Sequence, residues 1–132
     1  MDELTIGREC TILFRVEEPQ TALAMGSGTL PVLATPAVAA GMEQAACQLL
    51  QPYLEEGITT VGTMLSLSHV SASPVGADIS AKAVLTGMDG RKFLFDIAAS
   101  DNAGLIAEGK HERFAVKADS FVRKTENKLK GR

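Results

Sequence analysis

The sequence lacks most of the features that mark secreted, metal-bound or membrane proteins. Its 132 residues include two cysteines, Cys10 and Cys47, and no CxxC spacing, which argues against a disulfide framework or a zinc site and predicts two buried small side chains. No apolar run approaches the roughly 20 residues that span a bilayer. We therefore expect a soluble protein with no membrane partner.

An excess of positive charge is also absent, since the formal net charge is -3. This balance argues against nucleic-acid binding, and the interrupted basic tail at 123–132 is interpreted as a solvated helix end. At 1–9 acidic residues come early and no basic start precedes an apolar stretch, so we predict no secretory signal and a cytoplasmic location. The length fits one domain, residues 1–132.

Charge is scarcest between Glu18 and Glu55, where Glu43 is the only charged residue. Glu43 lies in the middle of the apolar segment 33–50. A carboxylate in such surroundings is partly desolvated, which suits a base or a nucleophile unless a partner satisfies it. Glu43 is therefore the first candidate for a catalytic residue.

One long apolar helix follows a first strand predicted at 9–16. Thr35 before Pro36 is typical of a helix start with threonine as the N-cap, and we expect the helix to continue to about Leu54. At about 100° per residue its circumference is apolar except for a narrow polar strip, and Glu43 faces packed surface. The strip consists of Gln44, Gln48 and Gln51.

After the helix, period-two alternation predicts four strands, near 59–70, 77–87, 91–99 and 104–117. The Asp89-Gly90 pair favours a hairpin between the second and third of them. The expected fold is α+β, with the long helix packed on a five-stranded antiparallel sheet made of the first strand and a meander of the last four. Because one such sheet covers the helix incompletely, we expect a second subunit.

A short amphipathic helix from about Asp119 closes the chain. Its apolar residues Phe121 and Val122 are expected to anchor it to the rest of the protein.

Two polar residues are candidates to act with Glu43. Counted by two, Val61, Leu65 and His69 share the strand face that meets the helix, and a histidine beside a carboxylate can divide acid and base roles with it. Thr35 is explained first by capping. In a straight helix it lies roughly 12 Å from Glu43, so a catalytic Thr35 needs a bridging substrate, a turned-back loop or a neighbouring subunit.

Three motifs carry a resemblance to a known family. They are Ala-Thr at 34–35 spaced to Met-Glu at 42–43, Ser-His at 68–69 followed by Pro-Val-Gly, and His-Glu-Arg at 111–113. With their surroundings they cover nearly the whole chain and resemble the hot-dog-fold thioesterases similar to fluoroacetyl-CoA-specific thioesterase. The resemblance implies a hot-dog fold, in which a curved antiparallel sheet wraps the long helix and two subunits join their sheets.

The resemblance also implies roles for five residues. It places the family's catalytic threonine, glutamate and histidine on Thr35, Glu43 and His69. It places Gly62 and Arg113 beside the acyl end of the thioester, the first as a backbone N–H donor and the second as a cation.

One departure from the family pattern concerns the acyl group. Fluoroacetyl-selective members resemble a pattern with phenylalanines ahead of the Ala-Thr, whereas residues 26–33 contain no aromatic here. The resemblance therefore predicts a thioester other than fluoroacetyl-CoA, with the flexible loop at 26–28 as a candidate lid. His111 has no catalytic counterpart and is interpreted as a structural or surface histidine.

The predicted activity is hydrolysis of a short-chain acyl-CoA thioester to free acid and CoA. Glu43 is the expected nucleophile or base, His69 the proton relay to the leaving thiolate, and Thr35 a positioning group. No metal or cofactor is expected beyond the CoA of the substrate. Two alternatives stay open, an enoyl-CoA hydratase or dehydratase and a non-catalytic acyl-CoA-binding dimer. The expected assembly is a homodimer, and pairing of dimers into tetramers is left open.

Overall fold

The computed structural model describes residues 3–131. Three residues lie outside this range. Met1 and Asp2 begin the segment in which no secretory signal is predicted, and Arg132 ends the basic tail. No helix within 3–131 is long and apolar enough to cross a membrane. In chain order the elements are β1 (Glu9–Arg15), a 3₁₀ turn (Glu18–Gln20), α1 (Ala22–Met25), α2 (Thr35–Leu50), a second 3₁₀ turn (Gln51–Tyr53), β2 (Ile58–His69), β3 (Asp78–Asp89), β4 (Lys92–Asp101), β5 (Gly104–Lys117) and α3 (Ala118–Lys130).

The five strands form one antiparallel sheet in the order β1-β3-β4-β5-β2. As the Asp-Gly pair predicts, β3 and β4 are hairpin neighbours, and Gly90 in their turn has a φ of 62° that glycine adopts without strain. The predicted meander of four strands is wrong at its start, because β2 pairs with β5 and not with β3. The segment 70–77 therefore crosses the ends of β5 and β4 to reach β3.

The helix α2 packs against one face of this sheet, as the α+β prediction requires. Its exposed residues include Gln44 and Gln48 of the predicted polar strip. Its buried side combines small residues with larger aliphatic ones, and Met42 is fully buried. Burying a side chain of that size is worth about 1.5–3 kcal/mol. The core residues facing each other are Val38, Met42, Ala45, Ala46 and Leu49 from α2, Ile79, Ala81, Ala83 and Leu85 from β3, and Phe95, Ile97 and Ala99 from β4.

Both ends of α2 differ from the sequence prediction. Ala34 is the N-cap, Thr35 is the first helical residue, and no side-chain hydrogen bond caps the helix. The helix ends at Leu50 and tightens into a 3₁₀ turn, because Pro52 has no N–H with which to continue the ladder. The capping explanation for Thr35 is thus wrong, and its hydroxyl is available for another contact.

A β-bulge in β2 decides which of its side chains face α2. The pairing with β5 slips between Gly62 and Met64, so Thr63 is an extra residue. Directly opposite residues of an antiparallel pair share a face. Gly62 lies opposite Arg113 and His69 lies opposite Ala107.

Because of this bulge, Gly62 and His69 share the helix-facing side although they are seven positions apart. The predicted place of Val61 on that side is wrong, because Val61 lies opposite Phe114 and points to the other face. The prediction for Leu65 is confirmed, since it lies opposite the buried His111.

The C-terminal helix α3 starts where β5 ends, and Ala118 N donates to Gly57 O at 2.9 Å. Phe121 and Val122 are 39% and 54% exposed. The predicted anchoring by these two residues is therefore wrong for the part of the chain that the structure describes.

Candidate active site

Thr35 and His69 meet at the end of the sheet where β2 finishes. Thr35 Oγ1 lies 2.8 Å from His69 Nδ1. The backbone on either side is tied together, because Leu33 N donates to Ser73 O at 2.9 Å. The residues that lead into α2 are thus held to the crossover segment that follows His69.

The crossover segment is itself fixed to the turn between β4 and β5. The fully buried Ser73 donates its hydroxyl proton to Asp101 Oδ2 at 2.8 Å, and Asp101 Oδ1 accepts the backbone N–H of Ala103 and Gly104. These hydrogen bonds, chiefly the one from Ser73, hold the pKa of Asp101 below its usual value. The position of His69 therefore depends on a carboxylate outside the site.

The second ring nitrogen of His69 is open for chemistry. Nε2 is buried and has no hydrogen-bond partner among residues 3–131, which is rare for a buried polar atom. If Nδ1–H donates to Thr35, Nε2 can accept a proton; if the Thr35 hydroxyl donates to Nδ1, Nε2–H can give one. Either tautomer leaves His69 able to act as an acid or a base.

A pocket of about 270 Å³ adjoins this pair. Its walls are small or aliphatic and include Ala22, Ser27 and Val32 beside Thr35 and His69. Ser27 belongs to the glycine-flanked loop predicted to act as a lid. The loop thus borders the site.

Glu43 lies beside Gly62 and Arg113, away from the Thr35–His69 pair. A Cβ atom built on Gly62 would lie 3.1 Å from Glu43 Oε2 and 3.4 Å from Arg113 Nη1. Glycine at 62 therefore lets a carboxylate and a guanidinium approach the strand together. Glu43 is half-buried, and the ion pairs found within 3–131 do not include it.

Arg113 is only 8% exposed and is held by two residues. Its Nε donates to Thr60 Oγ1 at 2.8 Å, its Nη2 donates to Thr60 O at 3.0 Å, and its Nη1 lies 3.2 Å from His111 Nε2. His111 is 1% exposed, so the surface alternative for it is wrong and the structural one is confirmed. Sequence reasoning missed Thr60, while the two-residue spacing of His111 and Arg113 already put both on one face.

The structure thus brings the predicted residues into two groups. Thr35 and His69 form one, and Glu43, Gly62 and Arg113 form the other. The groups are separated by eight helical residues, roughly 12 Å, along α2, and by roughly 20 Å along β2. Among the described residues no cluster of three histidine, cysteine or carboxylate side chains could hold a metal ion.

Known proteins share this sequence pattern. The sequence profile of the fluoroacetyl-CoA-specific thioesterase family matches residues 16–119. The fluoroacetyl-CoA thioesterase of Streptantibioticus cattleyicolor is 32% identical over 97 residues, which are 74% of this chain and 70% of that protein.

Solved structures share the fold. A structure of the fluoroacetyl-CoA thioesterase is 28% identical with a TM-score of 0.91, covering 96% of this chain and 98% of that one. A hot-dog-like protein from Thermanaerovibrio acidaminovorans is 22% identical with a TM-score of 0.87, over 96% and 94% of the two chains, and supports the fold alone. The chain has the predicted hot-dog fold, is a thioester hydrolase, and belongs to the fluoroacetyl-CoA-specific thioesterase family.

Proposed function

We propose that this thioesterase hydrolyses a short-chain acyl-CoA thioester in sites that two copies of the chain build together as a homodimer. One observation carries the proposal: the catalytic groups lie in two halves on the same side of β2, and each half lacks what the other holds. The Thr35–His69 half has an open proton relay but no carboxylate. The other half has the carboxylate of Glu43 and the cation of Arg113 but no open imidazole.

The edge of β2 is the feature that can join the halves. Among the described strands β2 pairs only with β5, so its other edge offers free backbone groups to a second strand. Antiparallel pairing of two β2 edges about a two-fold axis at Ser66, with Thr63 bulged out of each strand, would set Gly62 opposite the partner's His69. An isologous contact occurs twice, so each dimer would hold two complete sites.

In the proposed reaction, Glu43 activates a water molecule that attacks the thioester carbonyl carbon. The carbon–sulfur bond then breaks, and His69 gives the proton from Nε2 to the departing CoA sulfur. The products are the carboxylic acid and CoA. Direct attack by Glu43, followed by hydrolysis of the acyl-enzyme anhydride, is the nucleophilic form of the same reaction.

The remaining residues hold the reactants in this proposal. Thr35 orients the imidazole of His69, while the Gly62 N–H and Arg113 hold the acyl end. The reaction draws only on these groups, water and the CoA of the substrate.

The pocket beside Thr35 and His69 supports a short acyl group, because about 270 Å³ bounded by small and aliphatic residues leaves little room for a long chain. No aromatic residue lies at 26–33, so the proposed substrate differs from the fluoroacetyl-CoA named for the relatives. A cytoplasmic location, a single domain over 1–132 and assembly beyond the dimer stay predictions from the sequence.

Mixed dimers test the shared site. Glu43→Gln and His69→Ala chains, each strongly impaired alone, are unfolded, mixed in equal amounts and refolded. Half of the dimers are then mixed, and each mixed dimer has one intact site, so about a quarter of the wild-type activity returns. If both groups came from one chain, every site would carry one substitution and no activity would return.

A substrate panel tests the reaction class. CoA thiol release is measured with saturated, branched, aromatic and halogenated short acyl-CoAs, and enoyl-CoA hydration is followed in parallel. Thiol release from a saturated ester is the expected result. Hydration without thiol release would favour the hydratase alternative, and binding without either product would favour the non-catalytic dimer.

A further inference from the structure

His111 contacts both Arg113 and the bulged segment of β2. Its Nε2 lies 3.2 Å from Arg113 Nη1, and its Nδ1 lies 2.8 Å from Met64 O, the residue that follows the bulge. Nη1 is also the Arg113 atom next to Gly62. A change in His111 is therefore passed directly to the cation at the acyl end of the proposed site.

The two partners of His111 fix where its proton must be. The carbonyl of Met64 can only accept, so Nδ1 carries the proton and donates it. The guanidinium of Arg113 can only donate, so Nε2 must be unprotonated. Both contacts demand the same neutral tautomer. A second proton on Nε2 would point at an Arg113 N–H and put two cations about 3 Å apart.

The groups around the imidazole come from four elements. Arg113 and Glu112 lie on β5 itself, Glu43 approaches from α2, Phe95 of β4 stacks on the ring with centroids 5.9 Å apart, and the Met64 carbonyl comes from β2. Burial is the main cause that lowers the pKa of His111, and the charge of Arg113 lowers it further. Together they outweigh the hydrogen bond to the Met64 carbonyl and the charges of Glu43 and Glu112, which raise the pKa.

We propose that His111 is a positioning residue that holds Arg113 against Gly62 only while its imidazole is neutral. Protonation in acid turns the Arg113–His111 hydrogen bond into a repulsion, so the guanidinium moves off the acyl end and the KM for the acyl-CoA rises. This inference rests on the proposed function for its effect on KM. The coupling between the two side chains does not depend on it.

His111→Gln and His111→Leu separate positioning from packing. The glutamine carbonyl can accept from Arg113 Nη1 without titrating, so the acid rise in KM seen in the wild type should disappear. Leucine leaves Nη1 unpaired, so KM should rise roughly tenfold or more at every pH, with a smaller change in kcat. KM and kcat are measured separately from pH 5 to 8, because the proposed role of His111 acts on KM. Thermal unfolding shows that each variant is folded.

NMR of the side chains gives a readout without turnover. The expected wild-type result is that His111 keeps a proton on Nδ1 near neutral pH and that the Arg113 Nε–H signal shifts as His111 titrates. In His111→Gln the Arg113 signal should not shift over that range. With only two histidines in the chain, the glutamine variant also assigns the imidazole signals.

Failure of this inference and failure of the proposed function look different. An Arg113 signal that ignores the His111 titration, or an unchanged acid rise of KM in His111→Gln, would overturn the positioning role. Absence of thiol release by the wild type with every acyl-CoA would overturn the proposed function, and the NMR titration would still decide the coupling.

Discussion

The two halves of the site differ in how completely their polar groups are satisfied. At one end of β2, His69 has one hydrogen bond, to Thr35, and a buried Nε2 without a partner in the described chain. Near the bulge, His111 uses both ring nitrogens and Arg113 makes three contacts. Since a satisfied network is rigid and an open group can react, the difference fits the proposal that the open His69 gives a proton while the fully paired Arg113 holds the acyl end.

The largest expected effect comes from removing the carboxylate. Glu43→Gln keeps the size of the side chain but removes the proposed base, so kcat/KM should fall roughly 10²- to 10⁴-fold. The unfolding temperature should stay near the wild-type value, because no ion pair of Glu43 is lost. Thiol release and thermal unfolding are the measurements.

Glu108→Gln is the matched control for this change. Glu108 is an exposed carboxylate on β5 that points to the face of the sheet away from both halves, and its substitution should leave turnover near the wild-type rate. Near-normal turnover in Glu43→Gln as well would remove Glu43 from the mechanism.

A smaller effect is expected from loosening the open half. Thr35→Val removes the hydroxyl that contacts His69 Nδ1, and kcat should fall roughly tenfold because one hydrogen bond to the imidazole is lost. Thr35→Ser keeps the hydroxyl and should stay within a few fold of the wild type. In a His69→Ala background Thr35→Val should add no loss; additive losses would mean that Thr35 acts on something other than His69.

The smallest effect concerns the support of the open half. Ser73→Ala removes the hydrogen bond to Asp101 and should lower the free energy of unfolding by about 1 kcal/mol at pH 7. The pKa of Asp101 is lowered from its usual 3.8, so its stabilisation is present above that pH and is lost as the pH falls through the lower folded value. The difference between Ser73→Ala and wild type should therefore shrink in acid.

Denaturant titrations at pH 7 and near pH 3 measure this difference. A difference of equal size at both pH values would show that Ser73 stabilises by packing alone, without the carboxylate of Asp101.

Local patterns predicted the elements well, because their causes are local. The apolar circumference of α2, the alternation of the strands and the Asp89-Gly90 hairpin all depend on residues close in sequence. The place of β2 beside β5 could not be predicted this way, since it depends on how the segment 70–77 crosses the sheet. The sequence offers no local mark of that path.

Counting along the sequence missed part of the geometry of the candidate site. The family resemblance supplied Arg113 and Gly62, but the helix-facing side of β2 was assigned with Val61 because counting by two cannot register the extra residue Thr63. Thr35 was first explained as a cap because threonine before proline usually is one. Its contact with His69 arises from the tertiary fold alone.

The bulge at Thr63 also bears on which chains the free edge of β2 can accept. A twelve-residue edge strand with exposed Leu65 is a template on which extended chains can stack without limit. The extra residue interrupts the row of backbone donors and acceptors and increases the local twist, so a regular strand cannot pair along the whole edge. In the proposed dimer a second copy, which carries the same interruption, would match it, so the edge would select its own kind over other extended chains.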